Sequence, residues 1–208
     1  MADYTFFFNP MSRAQIARWA LHEAGADYES VHVPWDDRPR ALLDANPMGK
    51  LPTIIHHSAS GDHVVTEAAA ICHYLAEQQA PELLAKASEM ADYFRWLFFA
   101  AGPVEQAVTA KAMGWQVPED REAMAGFGSF DRTIDSLDGL LSGRDWVVGG
   151  RFTMADVYVG SQVDWGLAFG TMPERESFKA YAERCRAREA YRTAKAIDEK
   201  LIGEMQDG

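Results

Sequence analysis

The sequence contains few cysteines and no long apolar run. Only two of its 208 residues are cysteine, Cys72 and Cys185, and neither lies in a CxxC or Cys/His spacing. This composition excludes a recognisable zinc or dithiol redox motif. The apolar stretch near the amino terminus is three phenylalanines long, and no window of about 18 apolar residues exists. We therefore expect free thiols in a reducing compartment, no membrane partner and a cytoplasmic location.

Positive charge is also scarce. Twenty Lys and Arg residues face 31 Asp and Glu residues, which leaves a formal net charge of -11 at pH 7. A field of this sign repels phosphate groups, so an extended contact with nucleic acid or with an anionic membrane surface is excluded. A small anion held by helix termini and a few local cations is still compatible with this charge.

The pattern changes near residue 80. Before it, short apolar runs alternate with helical periodicity in the order β-α-β-α-β-β-α, and after Ala80-Pro81 the strand signals stop. We therefore predict an α/β domain over residues 1–80 and an all-helical domain over 88–208. The predicted helical segments of the second domain are 89–115, bent at Gly102-Pro103, then 119–141, 154–169 and 174–202, the last with one break.

A helix start with a polar side chain follows the first predicted strand. Ser12 stands three residues before Gln15, and Met11 and Ile16 occupy the positions of a hydrophobic staple. This spacing predicts a capping box opened by Ser12. A capping hydroxyl uses an acceptor lone pair, so its proton is expected to be free for a ligand anion. The positive end of the helix dipole would also stabilise a thiolate there.

A second candidate region is NPMGKLPTII followed by HVVTEAAAI. Pro52 begins a strand directly after Lys50-Leu51, so the peptide groups of Leu51 are not committed to a full ladder and an extended peptide can pair with them. Glu67 and Ala68 begin another helix, whose unpaired amides form an anion site. The dipole of that helix is by itself a sufficient reason for an acidic residue at Glu67.

These elements and motifs resemble the cytosolic glutathione S-transferase family, in its bacterial serine-type branch, over essentially the whole chain. The resemblance implies an α/β thioredoxin-like N-terminal domain with a cis Pro52 and an all-α C-terminal domain. It also implies that backbone groups of Leu51 bind the cysteinyl part of glutathione, that Glu67 and Ala68 bind its γ-glutamyl end, and that the Ser12 hydroxyl stabilises its thiolate. The same resemblance implies glutathione as co-substrate, a small apolar electrophile, a detoxification role and a homodimer.

Two positions depart from the family pattern. Ala68 stands where serine is common, so one charge-assisted hydrogen bond of about 1.5–3 kcal/mol to the γ-glutamyl carboxylate is missing. Phe8 occupies the place that a tyrosine-type enzyme would need, whereas the amide of Asn9 is a second candidate for contact with the thiolate. Lys50 and Arg38 are placed to meet a terminal carboxylate. Three alternatives stay open: a glutathione-dependent isomerase, a dehalogenase, and a glutathione-binding or structural protein with little catalysis.

The remaining polar clusters are weaker candidates. Adjacent His56 and His57 point to opposite faces of a strand, and His63 is the nearest cross-strand partner, so at most two ligands meet and no metal site is predicted. Thr153 and Asp156 have capping-box spacing and predict a structural helix start.

Four large apolar side chains of the bent helix are predicted to be mostly core, with the rest facing an apolar substrate pocket. They are Phe98, Phe99, Met113 and Trp115. Glu105 lies two residues past the bend and could reach the same pocket.

Overall fold

The computed structural model describes residues 2–206. Met1 and residues 207–208, at the outer ends of the two predicted domains, lie outside the described residues. The first 84 residues form β1 Tyr4–Phe8, α1 Ala14–Glu23, β2 Tyr28–His32, α2 Arg40–Ala45, β3 Thr53–Ser58, β4 Gly61–Thr66 and α3 Ala68–Gln79, followed by a 3-10 turn at Pro81–Leu83. This is the predicted β-α-β-α-β-β-α order.

In the rest of the chain that the structure describes, the regular elements are helices joined by loops, apart from one isolated two-residue bridge. They are α4 Met90–Phe99, α5 Glu105–Ala112, α6 Phe130–Leu141, α7 Met154–Ala168, α8 Glu176–Arg186 and α9 Glu189–Gln206. A π-helical turn, Ala100–Val104, joins α4 to α5 and contains Pro103. It is the bend that the Gly-Pro pair predicts.

The described residues fall into two compact units. The first unit comprises residues 2–84 together with 187–206, and the second unit comprises 85–186. Helix α9 therefore belongs with the sheet, although 102 residues of the second unit separate it from the rest of the first unit along the chain.

The sheet of the first unit has the strand order β2-β1-β3-β4. Strands β1 and β2 are parallel, whereas β1 with β3 and β3 with β4 are antiparallel. The sequence of β1, YTFFF, is apolar on both faces, and four of its five residues are almost fully buried. A strand that is apolar on both faces is typical of a central position covered on both sides, so the expected thioredoxin-like α/β fold is confirmed.

The strand register places three loops side by side. Phe7 of β1 pairs with Thr53 of β3, and Thr53 pairs with Thr66 of β4. The turn that follows β1, the segment that precedes β3 and the start of α3 after β4 therefore meet at one edge of the sheet.

The second unit is built around α7. Twelve of the residues of α7 are buried, which is expected of a helix that is apolar on nearly all sides. The capping box at its start is present as predicted: Thr153 is the N-cap and Asp156 the reciprocal acidic partner.

The predicted helix over 119–141 is only partly correct. Residues Glu119–Met124 form a 3-10 helix, and α6 begins at Phe130 with Ser129 as its N-cap. Gly128 separates the two elements with a φ of +63°, a conformation that a regular helix does not contain.

The prediction that the large apolar residues of the bent helix are mostly core is wrong for three of the four. Phe98, Met113 and Trp115 are 64%, 59% and 65% exposed. They lie on the outer face of the α4–α5 segment or just after it, because the buried face of that segment carries Tyr93, Trp96 and small residues.

A buried ion pair fastens α9 to α1 inside the first unit. Arg18 Nε donates to Asp198 Oδ1 over 2.9 Å, and both side chains are only 2% exposed. The guanidinium also lies over the rings of Phe6 and Phe8, at 5.1 and 4.4 Å from their centroids. Arg18 Nη2 and Asp198 Oδ2 have no hydrogen-bond partner in the structure. Both charged groups are therefore removed from water, and their hydrogen bonds offset only part of the desolvation cost.

This burial makes stability depend on pH. Burial raises the pKa of Asp198 to about 6, against the opposing effect of Arg18. The pKa of Asp198 is higher in the folded chain than in the unfolded chain, where it is about 3.9, so the protonated carboxyl group favours the folded state. This contribution is complete below the unfolded pKa and is lost as pH rises through 6. We expect the free energy of unfolding of the native chain, relative to that of Asp198→Asn, to fall by about 2 kcal/mol from pH 4.5 to pH 7. Urea titrations at both pH values check this, and a pH-independent difference would contradict it.

Candidate active site at the sheet edge

Asn9 holds the turn that follows β1. Its side chain is completely buried; Nδ2 donates to the carbonyl of Val33 over 3.0 Å, and Oδ1 accepts from the amide of Met11 over 3.0 Å. Both polar ends of the amide are therefore used inside the protein. This geometry favours a structural role for Asn9 in shaping the turn.

Ser12 lies in the same turn and is half-buried. Its Oγ donates to the carbonyl of Asn9 over 2.7 Å and accepts from the amide of Ala14 over 3.1 Å. The expectation that the hydroxyl proton is free is thus wrong for this structure, because the proton lies in the hydrogen bond to Asn9. An anion beside Ser12 would compete with a backbone carbonyl for that proton.

The predicted capping box at α1 is not formed. Helix α1 begins at Ala14 with Arg13 as its N-cap and without a side-chain cap. The side chain of Gln15 instead donates through Nε2 to the carbonyl of Pro10 over 2.5 Å. Gln15 therefore supports the turn from the helix side, a role that the spacing of Ser12 and Gln15 did not predict.

The segment before β3 presents a free peptide edge. The Leu51–Pro52 bond is cis, as the resemblance implied. Leu51 precedes the first paired residue of β3, and no hydrogen bond of its backbone amide or carbonyl is found within residues 2–206. Leu51 is half-buried, and an extended ligand chain would not have to displace a partner among the described residues to pair with these peptide groups.

Asn46 shapes this segment, and the sequence analysis missed it. Its buried Nδ2 donates to the carbonyl of Lys50 over 3.1 Å and contacts Thr53 Oγ1 at 3.0 Å. The hydroxyl of Thr53 also donates to the Lys50 carbonyl, over 3.0 Å. The signal was the Asn-Pro pair that ends α2, since asparagine in that context commonly bonds nearby backbone groups.

The start of α3 combines a strained residue with unpaired amides. Glu67, the N-cap, has φ of +65° and is the one non-glycine residue among 2–206 with a positive φ. Ala68 is the first residue of the helix, and the amides of its first turn have no partner within the helix. Strain of this kind concentrates at binding sites, and the amide-rich terminus suits a carboxylate.

The two predicted cations differ in their availability. Lys50 is exposed, and no ion pair of its ammonium is found in the described part of the chain. Arg38 donates through Nη1 to the carbonyl of Pro34, and its guanidinium lies 5.6 Å from the ring centroid of Trp35. Lys50 is therefore the more available partner for an anion.

Several other titratable side chains of the first unit are hydrogen-bonded to other residues or fully buried. His57 lies between Thr5 and Asp62, at 2.8 Å from each, and His56 bonds Tyr74 at 2.8 Å. Among residues 2–206, no group of three or more His, Cys, Asp or Glu side chains is arranged to hold a metal ion. Burial raises the pKa of Cys72 well above its usual range, so this thiol is not a nucleophile.

The second unit contains a cleft of its own. Its volume is about 500 Å³, and its lining includes Trp115, Phe127, Phe130 and Lys111. The ammonium of Lys111 lies 3.7 Å from the ring centroid of Phe130. Glu105 lies outside this lining and accepts a hydrogen bond from Gln162 over 2.9 Å.

No helix within residues 2–206 combines the length and the apolar character needed to cross a membrane.

Comparison with known proteins finds matches to one protein family along most of the chain. A family model described as the glutathione S-transferase N-terminal domain matches residues 10–78, and one described as the C-terminal domain matches 77–189. Glutathione S-transferase 1 of Schizosaccharomyces pombe is 28% identical over 158 residues, which cover 70% of this chain and 66% of that protein. Glutathione S-transferase GstA of Escherichia coli O157:H7 is 24% identical over 172 residues, which cover 78% of this chain and 82% of that protein.

Two solved structures share the fold at full length. A glutathione transferase from Methylococcus capsulatus is 25% identical with a TM-score of 0.75, covering 94% of this chain and 98% of that one. A sphingomonad glutathione S-transferase complexed with glutathione is 26% identical with a TM-score of 0.74 and the same coverage. The C-terminal family model alone matches more than half of the chain. The chain therefore belongs to the glutathione S-transferase family.

Proposed function

We propose that this chain is a serine-type, bacterial-type glutathione S-transferase, in which Ser12 and the start of α1 stabilise the thiolate of glutathione for attack on a small apolar electrophile. The observation that carries the proposal is the strand register. It brings the Ser12 turn, the free peptide groups of Leu51 and the amide-rich start of α3 to one edge of the sheet. A tripeptide with an anionic end matches these three features.

Each feature has a separate task in this proposal. Leu51 pairs its amide and carbonyl with the cysteinyl main chain, next to cis Pro52. The amides of Glu67 and Ala68 at the start of α3 bind the γ-glutamyl carboxylate, and Lys50 supplies a nearby positive charge. This binding energy, acting away from the sulfur, holds the thiol at the Ser12 turn.

The chemistry at the sulfur needs little from the protein. The thiol releases its proton to solvent, and the Ser12 hydroxyl turns from the Asn9 carbonyl to donate to the thiolate. The positive end of α1 adds to this stabilisation. The sulfur lone pair then forms a bond to the electrophilic carbon, and the leaving group departs with its electron pair.

Restoring the missing side-chain donor at the start of α3 is expected to tighten binding. In Ala68→Ser, a hydroxyl at the first helical residue can donate to the γ-glutamyl carboxylate, so we expect the Kd of glutathione to fall about tenfold. Titration calorimetry measures it. Ala70→Ser, on the exposed side of the same helix turn, is the matched control and should leave Kd unchanged. Equal Kd values for Ala68→Ser and the native chain would place the carboxylate elsewhere.

A glutathione-binding protein with little catalysis is the second candidate, because the Ser12 proton is already in a hydrogen bond and Ala68 lacks a side-chain donor. Calorimetry combined with a panel of electrophiles separates the candidates. Binding with conjugation supports the transferase, and binding without conjugation supports the alternative. Turnover only of isomerisable or halogenated compounds would instead identify a glutathione-dependent isomerase or dehalogenase.

We also propose a homodimer in the cytoplasm with a role in detoxification. Large exposed apolar side chains of the first unit, Trp35 at 52% and Met48 at 75%, support burial against a second copy. The two cysteines are buried and not joined in a disulfide, which suits a reducing compartment. Light scattering should give twice the chain mass of 23.2 kDa, and a monomer mass would contradict the dimer.

A further inference from the structure

Gln15 links the final helix of the chain to the turn that carries Ser12. Its Nε2 donates to the carbonyl of Pro10 over 2.5 Å, and its Oε1 accepts from the ammonium of Lys195 over 3.1 Å. Lys195 lies on α9 and Gln15 on α1, 180 residues apart, and both belong to the first unit. One half-buried amide thus joins α9 to the backbone of the turn.

The hydrogen-bonding capacity of its two partners fixes the orientation of the Gln15 side-chain amide. A lysine ammonium only donates, so Lys195 requires the oxygen of the Gln15 amide to face α9. The amide nitrogen must then face the Pro10 carbonyl, which only accepts. A reversed amide would place its oxygen against that carbonyl and its NH₂ group against the ammonium, which is unfavourable at both ends. Bonds arranged in such a chain also polarise and strengthen one another.

The turn is therefore held from two sides. Asn9 is fixed by its bonds to Val33 and Met11, and Pro10 is fixed by Gln15. The Ser12 hydroxyl and the Ser12 amide both donate to the Asn9 carbonyl, over 2.7 and 3.1 Å. A shift of the Pro10 peptide would move the Asn9 carbonyl and the Ser12 amide bonded to it, and would thereby move the residue whose hydroxyl turns toward the thiolate.

Helix α9 is a rigid support for this link. The buried Arg18–Asp198 pair and two hydrogen bonds from Arg188 to Glu23, of 2.6 and 2.7 Å, fasten it to α1 on either side of Lys195. Trp19 and Tyr191 pack edge-to-face between the same helices, with centroids 5.0 Å apart.

We propose that Lys195 and Gln15 are positioning residues for Ser12, and that α9 sets the place of the thiolate-stabilising hydroxyl through the Lys195–Gln15–Pro10 chain. The inference rests on the proposed function, because it assigns these residues an effect on the thiolate. Neither residue needs to touch glutathione. Their loss should therefore change the acidity and reactivity of the bound thiol more than the binding of glutathione.

The test compares Lys195→Met, Gln15→Met and the double variant. We expect each single variant to lower kcat/KM for conjugation about threefold to tenfold and to raise the pH midpoint of the bound thiol, followed by thiolate absorbance. The Kd of glutathione should stay within about twofold by calorimetry. The double variant should be no worse than either single one, since both break the same chain. Lys195→Arg, which keeps a cationic donor, should restore most of the activity.

Lys200→Met is the matched control, because Lys200 lies on the same helix, is 77% exposed and, within the residues that the structure describes, pairs only with Glu204. It removes the same charge and should match the native chain. Three results would each overturn the inference. They are an unchanged pH midpoint in both single variants, additive losses in the double variant, and an equal loss in Lys200→Met. Should the native chain itself form no thiolate on binding glutathione, the proposed function fails instead, so the two failures are distinguishable.

Discussion

Asp156→Ala is expected to lower the free energy of unfolding by about 4 kcal/mol. Asp156 is fully buried, and its carboxylate accepts four hydrogen bonds. Oδ1 accepts from the amide of Val147 over 2.7 Å and from the hydroxyl of Tyr181 over 2.8 Å; Oδ2 accepts from the amide and hydroxyl of Thr153 over 2.8 and 3.0 Å. Alanine leaves four buried donors unsatisfied, each at a cost of about 1 kcal/mol or more.

The large effect follows from what these bonds connect. They join the start of α7, the loop at Val147 and the middle of α8, so one carboxylate unites three segments of the second unit. Urea unfolding followed by circular dichroism measures the loss. Asp135→Ala is the matched control, because Asp135 is 66% exposed and, among residues 2–206, bonds only Arg175, so its loss should cost less than about 1 kcal/mol. Equal losses in the two variants would show that the buried network carries no special stability.

Ser12→Ala is expected to lower kcat/KM for glutathione conjugation by about a hundredfold to a thousandfold, the range seen when one donor to a developing or stable anion is removed. The pH midpoint of the reaction should move up, because the thiolate loses a hydrogen bond and the thiol regains its proton more readily. The loss should therefore be largest below neutral pH and smaller in alkaline buffer. Steady-state kinetics from pH 6 to pH 9 check both effects.

Two variants make the Ser12 experiment specific. Ser12→Thr keeps the hydroxyl and should retain most of the activity and the native pH midpoint. Ser142→Ala removes an exposed hydroxyl whose one side-chain partner in the described part of the chain is Asp138, and it should match the native chain throughout. A native rate and midpoint in Ser12→Ala would remove Ser12 from the mechanism and leave the helix start alone to stabilise the thiolate.

Two helix starts show how far spacing alone predicts structure. At Thr153 and Asp156 the capping-box spacing predicts the observed cap, because both partners are local and the site is fully buried. At Ser12 and Gln15 the same spacing predicts a cap that is not formed. Gln15 has partners at Pro10 and at Lys195, and the second lies 180 residues away, so no local pattern includes it.

Exposure was harder to predict than secondary structure. The helix that carries Phe98 and Trp115 was predicted with its bend, yet both side chains are about two-thirds exposed. Periodicity identifies an apolar face only when the opposite face is polar, and this segment is apolar on several sides. Which side is buried then depends on the neighbouring helices.

The sequence by itself determined the order of the elements, the change from strands to helices near residue 80, the family and the three motifs of the candidate site. These follow from local preferences: apolar alternation, Pro and Gly positions and helix-start residues act within a few positions of the chain. Only the tertiary structure decided that α9 returns to the first unit, that Arg18 and Asp198 are buried together, and that the Ser12 hydroxyl donates to a backbone carbonyl. These features depend on partners far apart in the chain, and their free energy comes from desolvation and hydrogen bonding that exist only once the surfaces have met.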